Sequence, residues 1–330
     1  MSAASHTEAT DDAWWLGAAA LCAVAYATVR QLQRGPTRGK QLPDARHKEA
    51  VCAMPATPPD CQPDWRHQAS RMFHGASAVL ATSVLADSGL EHYRGQFSNP
   101  GMFASLLGAG MTLAVASRRV FDSRDALPGR RHRAYRWALL AGLAGTGFHF
   151  YNVGRRLGGF NWGNVFYGAP LGAPSALALA GLIGLAADKL ADPGERETVG
   201  RLLCVLAGAG LAGTSAEAGL LHFRGAFHNP FMWVPVSVPP IGAALLGAAA
   251  IAPPAARRSR LSRAWMALTG TLGLAGVGFH AFGVARRMGG WRNWTQNLQA
   301  GPPLPAPPAF SALALAGYAA LQVLERESAP

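Results

Sequence analysis

The chain has 330 residues, half of them hydrophobic and only 15% charged, with 39 glycines, 23 prolines and a formal net charge of +12. So apolar a composition excludes an ordinary soluble domain. The excess positive charge does not form a nucleic-acid-binding face either: it lies in loops that alternate along the chain, the pattern that orients membrane proteins.

The N-terminal tail, residues 1–12, is acidic where a signal peptide would be basic, which predicts that it is not cleaved. Apolar runs then recur, each close to the roughly 20 residues that cross a hydrocarbon core of about 30 Å. They predict helices at 13–29, 74–92, 101–117, 136–153, 170–188, 202–222, 231–252, 264–283 and 307–324. The expected fold is an all-α integral membrane protein of about nine transmembrane helices. Many of these runs are rich in Ala and Gly, which lets helix backbones approach closely.

Residues 30–72 are basic and Pro-rich, with Arg30, Arg34, Arg38, Lys40, Arg46 and Lys48, and are expected to be a cytoplasmic linker. Cys52 and Cys61 fall within it. With Cys22 and Cys204 they make no CxxC pair, so no zinc or disulfide framework is expected. Arg118, Arg119, Arg124, Arg130, Arg131, Arg133 and Arg136, then Arg257, Arg258, Arg260 and Arg263, mark two further cytoplasmic loops. The N-terminus is then outside and the C-terminus cytoplasmic, in a bacterial inner (plasma) membrane, with the basic loops facing anionic lipid rather than nucleic acid.

The strongest signal is an internal duplication. HYRGQFSNPGM at 92–102 recurs as HFRGAFHNPFM at 222–232, and GFHFYNVGRRLGG at 147–159 as GFHAFGVARRMGG at 278–290. SALALAG occurs at 175–181 and at 311–317. Two tandem four-helix repeats, 73–190 and 201–325, follow, with the helix at 13–29 standing outside them. Each unit holds an even number of crossings, so the copies share one orientation, related by a pseudo-twofold axis along the membrane normal.

The polar residues that both copies keep are His92 and His222, His149 and His280, Asp87 and Glu217, Arg94 and Arg224, Asn99 and Asn229, and Arg155–Arg156 with Arg286–Arg287. The four histidines are expected at similar depth near the outer face. Ionisable groups inside a bilayer are costly and mark functional sites. Imidazole is the commonest metal ligand and the usual axial ligand of membrane haem. Two arrangements fit. Either His92 with His149, and His222 with His280, each clamp a haem b, or Asp87 and Glu217 join their histidines as two-histidine, one-carboxylate sets for non-haem iron or copper. Asp87 and His92 point about 140° apart on an ideal helix, so the second arrangement needs distortion, for which Gly89 and Gly219 provide. The six arginines call for an anionic component: haem propionates, a carboxylate or phosphate, or lipid headgroups. Asn99 and Asn229, each followed by Pro, are expected to cap the next helix and turn its first amides to the pocket.

Aromatic residues Phe160, Trp162, Phe166, Tyr167, Trp291 and Trp294 are expected in an interfacial belt, or lining a quinone pocket. His228 is not duplicated. His6, His47, His67, His74 and His132 are expected at solvent or interface positions. No Walker, Rossmann, hydrolase or CxxCH motif is present, so no catalytic residue is assigned. The leading expectation is a membrane redox protein, an oxidoreductase or a subunit of one, exchanging electrons with quinol or anchoring a partner dehydrogenase or oxidase. Its alternatives are a transporter or receptor for an anionic small molecule, and a ligand-free scaffold.

Overall fold

The computed structural model describes residues 65–121, 128–253 and 259–328. The helix expected at 13–29, residues 30–64 of the linker, and Cys22, Cys52 and Cys61 lie outside the described residues. Every regular element among those described is helical. The long ones are α1 (Trp65–Arg94), α2 (Met102–Phe121), α3 (Pro128–Gly154), α5 (Gly172–Lys189), α6 (Arg196–Arg224), α7 (Val234–Ile251), α8 (Arg260–Ala285) and α10 (Pro308–Glu327). Two short helices, α4 (Trp162–Tyr167) and α9 (Trp294–Ala300), complete the set.

Helix continues past the apolar runs, because charged residues with good helix propensity extend the ends beyond the hydrocarbon core. Arg118 and Arg119 belong to the last turn of α2, Arg130, Arg131, Arg133 and Arg136 to α3, and Arg260 and Arg263 to α8. These positions, expected in loops, are helical instead. α1 likewise begins inside the segment expected as linker. Four helical spans are long and apolar enough to cross a membrane: Pro193–Arg224, Pro230–Ile251, Arg260–Ala285 and Pro308–Glu327. They point to a membrane protein.

Within residues 69–330, which pack as one unit, α3 lies on α5 and α2, α8 on α10 and α7, α6 on α7 and α10, and α5 on α6. Large apolar side chains face outward, among them Leu140 and Tyr151 at 62% exposed and Leu274 at 67%, as lipid-facing positions would. The interior is dominated by alanine, with Phe73, Leu177, Ile183, Leu203, Leu211, Leu313 and Leu321 filling the gaps. Against a lipid reference, burying these side chains gains little hydrophobic energy, so close packing has to hold the helices together.

Glycine sets the closest crossings. Gly142 on α3 faces the backbone of Pro174 and Ala178, and Gly273 on α8 faces that of Pro307 and Ser311. Ser311 Oγ donates to the Gly270 carbonyl across the second crossing at 2.7 Å. Equivalent contacts on α5 and α10 are thus separated by 133 positions (307 − 174), whereas the SALALAG segments are separated by 136 (311 − 175). Those segments match in sequence yet occupy places about one helical turn apart in their bundles.

Candidate functional site at the ends of four helices

α1, α3, α6 and α8 each carry one of the four histidines in or near the last turns. The loops that follow fix the rings. After α1, Gln96 and Phe97 take positive φ (54° and 48°); after α6, Ala226 and Phe227 do the same (54° and 46°). This conformation is strained for residues with a Cβ. It swings Phe97 edge-on to His92, centroids 6.2 Å apart, and stacks it on Phe103 at 4.7 Å. Phe227 meets His222 at 6.2 Å and stacks on Trp233 at 4.0 Å. Asn99 Oδ1 then accepts from Gly101 N–H at 2.8 Å, and Asn229 Oδ1 from Phe231 N–H at 3.0 Å, in the turns that precede α2 and α7.

His222 Nδ1 donates to the Met232 carbonyl at 2.8 Å. His92 Nδ1, at the matching place, is buried and makes no such bond. His280 Nδ1 donates to the Pro303 carbonyl at 2.7 Å, and His149 Nδ1 to that of Pro170. The two proline carbonyls are positioned by loops with shared construction. Gly158–Gly159 and Gly289–Gly290 supply left-handed turns. Asn164 Nδ2 donates to the Leu157 and Gly159 carbonyls at 3.0 and 2.7 Å, and Asn297 Nδ2 to those of Met288 and Gly290 at 3.1 and 2.8 Å. The short helices α4 and α9 hold these asparagines. They lie in the aromatic stretches and are too brief for sequence periodicity to reveal.

With Nδ1–H given to a backbone carbonyl, Nε2 keeps its lone pair. His149, His222 and His280 are thereby set in the tautomer that ligating histidines use, with the second-shell partner such ligands carry. His92 stands within electrostatic reach of His149, and His222 within reach of His280. Two residues before His149 and His280 the helix surface is open: a Cβ added at exposed Gly147 or Gly278 meets nothing within 4 Å.

The carboxylates are held elsewhere. Glu217 accepts from Gly172 N–H, at the first residue of α5, at 3.3 Å, and Asp87 and Glu217 lie within electrostatic reach of each other. Ser83 Oγ donates to the Pro305 carbonyl in the loop before α10. α1 and α6 run unbroken through Gly89 and Gly219. No group of three or more His, Cys, Asp or Glu side chains able to hold one metal gathers among the described residues.

Among the described residues only one of the six arginines, Arg94, meets a carboxylate, that of Glu91. Arg224 lies over the rings of Phe166 and Tyr167, at 4.9 and 5.5 Å. Arg155 lies over Tyr151 and Arg286 over Phe282, and Arg156 donates to the Tyr167 carbonyl at 3.2 Å. His228 Nδ1 donates within its own turn to Gly225 at 2.9 Å.

His74 departs from its expected place at solvent or interface. It is 0% exposed and bonded to Tyr135, also 0% exposed, while the side chain of its neighbour His132 is 40% exposed. Sequence inspection missed this cluster because its members stand on different helices. One signal was available: His74, Tyr135 and Asp188 each have an apolar residue at the matching place of the other half.

Comparison with protein families, curated proteins and solved structures yields no match.

Proposed function

We propose that this is a membrane redox protein that binds haem b, or failing that a transition metal, through His92 with His149 and His222 with His280. It would exchange electrons with quinol or anchor a dehydrogenase or oxidase. The observation that carries the proposal is the Nδ1–H bond from His149, His222 and His280 to a fixed backbone carbonyl, which leaves Nε2 free to ligate. Two imidazoles per site suit axial haem ligation, which asks for no third donor. Arg155, Arg286 and Arg287 suit its propionates. Haem would supply one-electron chemistry at a potential tuned by its axial ligands; the protein orients the imidazoles, excludes water with Phe97 and Phe227, and compensates charge.

The proposal includes the nine-crossing topology, the two tandem parallel repeats, and an outer-face site with the C-terminus cytoplasmic. What supports the repeats is the recurrence of the same hydrogen bonds and left-handed turns at matching places. A second reading, an anion transporter or receptor, draws on Arg155, Arg286 and Arg287, which have no carboxylate partner among the described residues. The test is an optical spectrum and metal analysis of detergent-purified protein, before and after dithionite. A Soret band with sharp reduced α-bands, lost in His149→Ala or His280→Ala, supports the redox proposal. A folded, colourless, metal-free protein overturns it and directs attention to anion uptake.

A further inference from the structure

At the opposite ends of the helices of the first half lies a second polar cluster, which the proposed site does not use. Asp188, at the end of α5, receives Arg131 Nε at 2.8 and 3.1 Å and Arg131 Nη2 at 2.8 Å; its side chain is 5% exposed. His132 Nδ1 stands 3.4 Å from Asp188 Oδ2. His74, on α1, bonds Tyr135 through Nδ1 at 2.8 Å, the rings stacked with an interplanar angle of 11°. Ser77, on α1 beside His74, donates its hydroxyl to the Ala180 carbonyl at 2.9 Å. Arg119 of α2 completes the charged surroundings.

His74 and Tyr135 share one proton along the Nδ1···Oη contact, so the tautomer of the ring follows the Tyr135 hydroxyl. On its other side His74 Nε2 is buried, has no hydrogen-bond partner and lies 3.5 Å from Asp188 Oδ1. When Tyr135 donates to Nδ1, Nε2–H faces the carboxylate; when Tyr135 accepts, Nε2 is a lone pair. One further proton on the ring makes an imidazolium set between the Tyr135 oxygen and the Asp188 carboxylate.

The fold does not require this cluster. Gly184 lies against the Tyr135 ring, and Gly317 lies against Met266 and Leu246 in the corresponding crossing of the second half. There the places of His74, Tyr135 and Asp188 are taken by Cys204, Met266 and Leu321, all 1% exposed or less, and the arginine–carboxylate pair at that end is Arg263 with Glu325. The same crossing thus packs without a buried histidine and tyrosine, and apolar residues in such places are in general at least as stable as a buried ionic set. Ionisable groups kept inside a membrane protein at that cost mark a functional site.

We propose that His74, Tyr135 and Asp188 form a proton-binding site, peculiar to the first half and reached from the arginine-rich end through half-exposed His132, with the proton taken by the His74 ring. Ser77, Tyr135, Arg131, His132, Arg119 and Asp188 are the groups that face it. The test is nuclear magnetic resonance of the full chain, 15N-labelled at histidine, in detergent micelles between pH 5 and pH 9. An imidazole nitrogen that passes from lone-pair to protonated, vanishes in His74→Gln, and titrates at least about one pH unit lower in Asp188→Asn supports the site. Should Asp188→Asn fail to fold, the double variant Asp188→Leu with Arg131→Ser copies the second half and takes its place. A His74 signal fixed in one protonation state across the range, or a titration indifferent to residue 188, overturns the proposal.

Discussion

Replacing Gly273 by alanine tests how the candidate site is braced. An added Cβ would stand 2.8 Å from Ser311 N and 2.9 Å from the Pro307 carbonyl oxygen, both backbone atoms that cannot rotate away. Restoring ordinary contact parts α8 from α10 by about 0.5 Å or more, an overpacking strain of about 1–3 kcal/mol. The helix-propensity gain of alanine over glycine, about 0.5–1 kcal/mol, offsets only part of it. At about 2–4 °C per kcal/mol, the midpoint of thermal unfolding in detergent should fall by several degrees. The His280–Pro303 bond spans the same pair of segments and should loosen, so any bound chromophore should be held less tightly. Gly278→Ala is the control, since its Cβ enters open space. Equal midpoints for wild type and Gly273→Ala, or equal losses for both variants, would refute this account of the crossing.

Other expectations are open to the same unfolding assay. Asn297→Ala strips the Met288 and Gly290 carbonyls of a donor that is 4% exposed, and should cost about 2 kcal/mol. Arg224→Ala removes the cation from above Phe166 and Tyr167 and should cost about 1 kcal/mol; an unchanged midpoint at low and high salt would deny the contact any weight. Asp188→Leu alone removes the carboxylate from largely buried Arg131 and should cost about 3–5 kcal/mol, whereas the double variant with Arg131→Ser should recover most of the loss. If the double variant is as unstable as the single one, the ion pair is not the cause.

The long helices were legible because apolar runs of membrane-crossing length leave few alternatives. Their ends were not, since Arg118, Arg131 and Arg260 are good helix formers that polarity alone assigns to loops. The histidines, arginines and capping asparagines stood out through recurrence. Their partners did not: the carbonyls of Met232, Pro170 and Pro303 carry no sequence signature, and nothing in the residue types says that Glu217 turns to the Gly172 amide rather than to a histidine. His74 was misplaced for a related reason, because Tyr135 and Asp188 reach it only once α1, α3 and α5 are packed.

Ser83 on α1 reaches forward to Pro305, before α10, while Glu217 on α6 reaches back to Gly172, at the start of α5. Each half thus offers its first long helix to the entry of the other's last one. A contact of this reciprocal kind is what two identical subunits make across a twofold axis. The two acids are served differently at these entries: glycine gives Glu217 an amide to bind, whereas proline at the corresponding place, Pro305, has none to give Asp87.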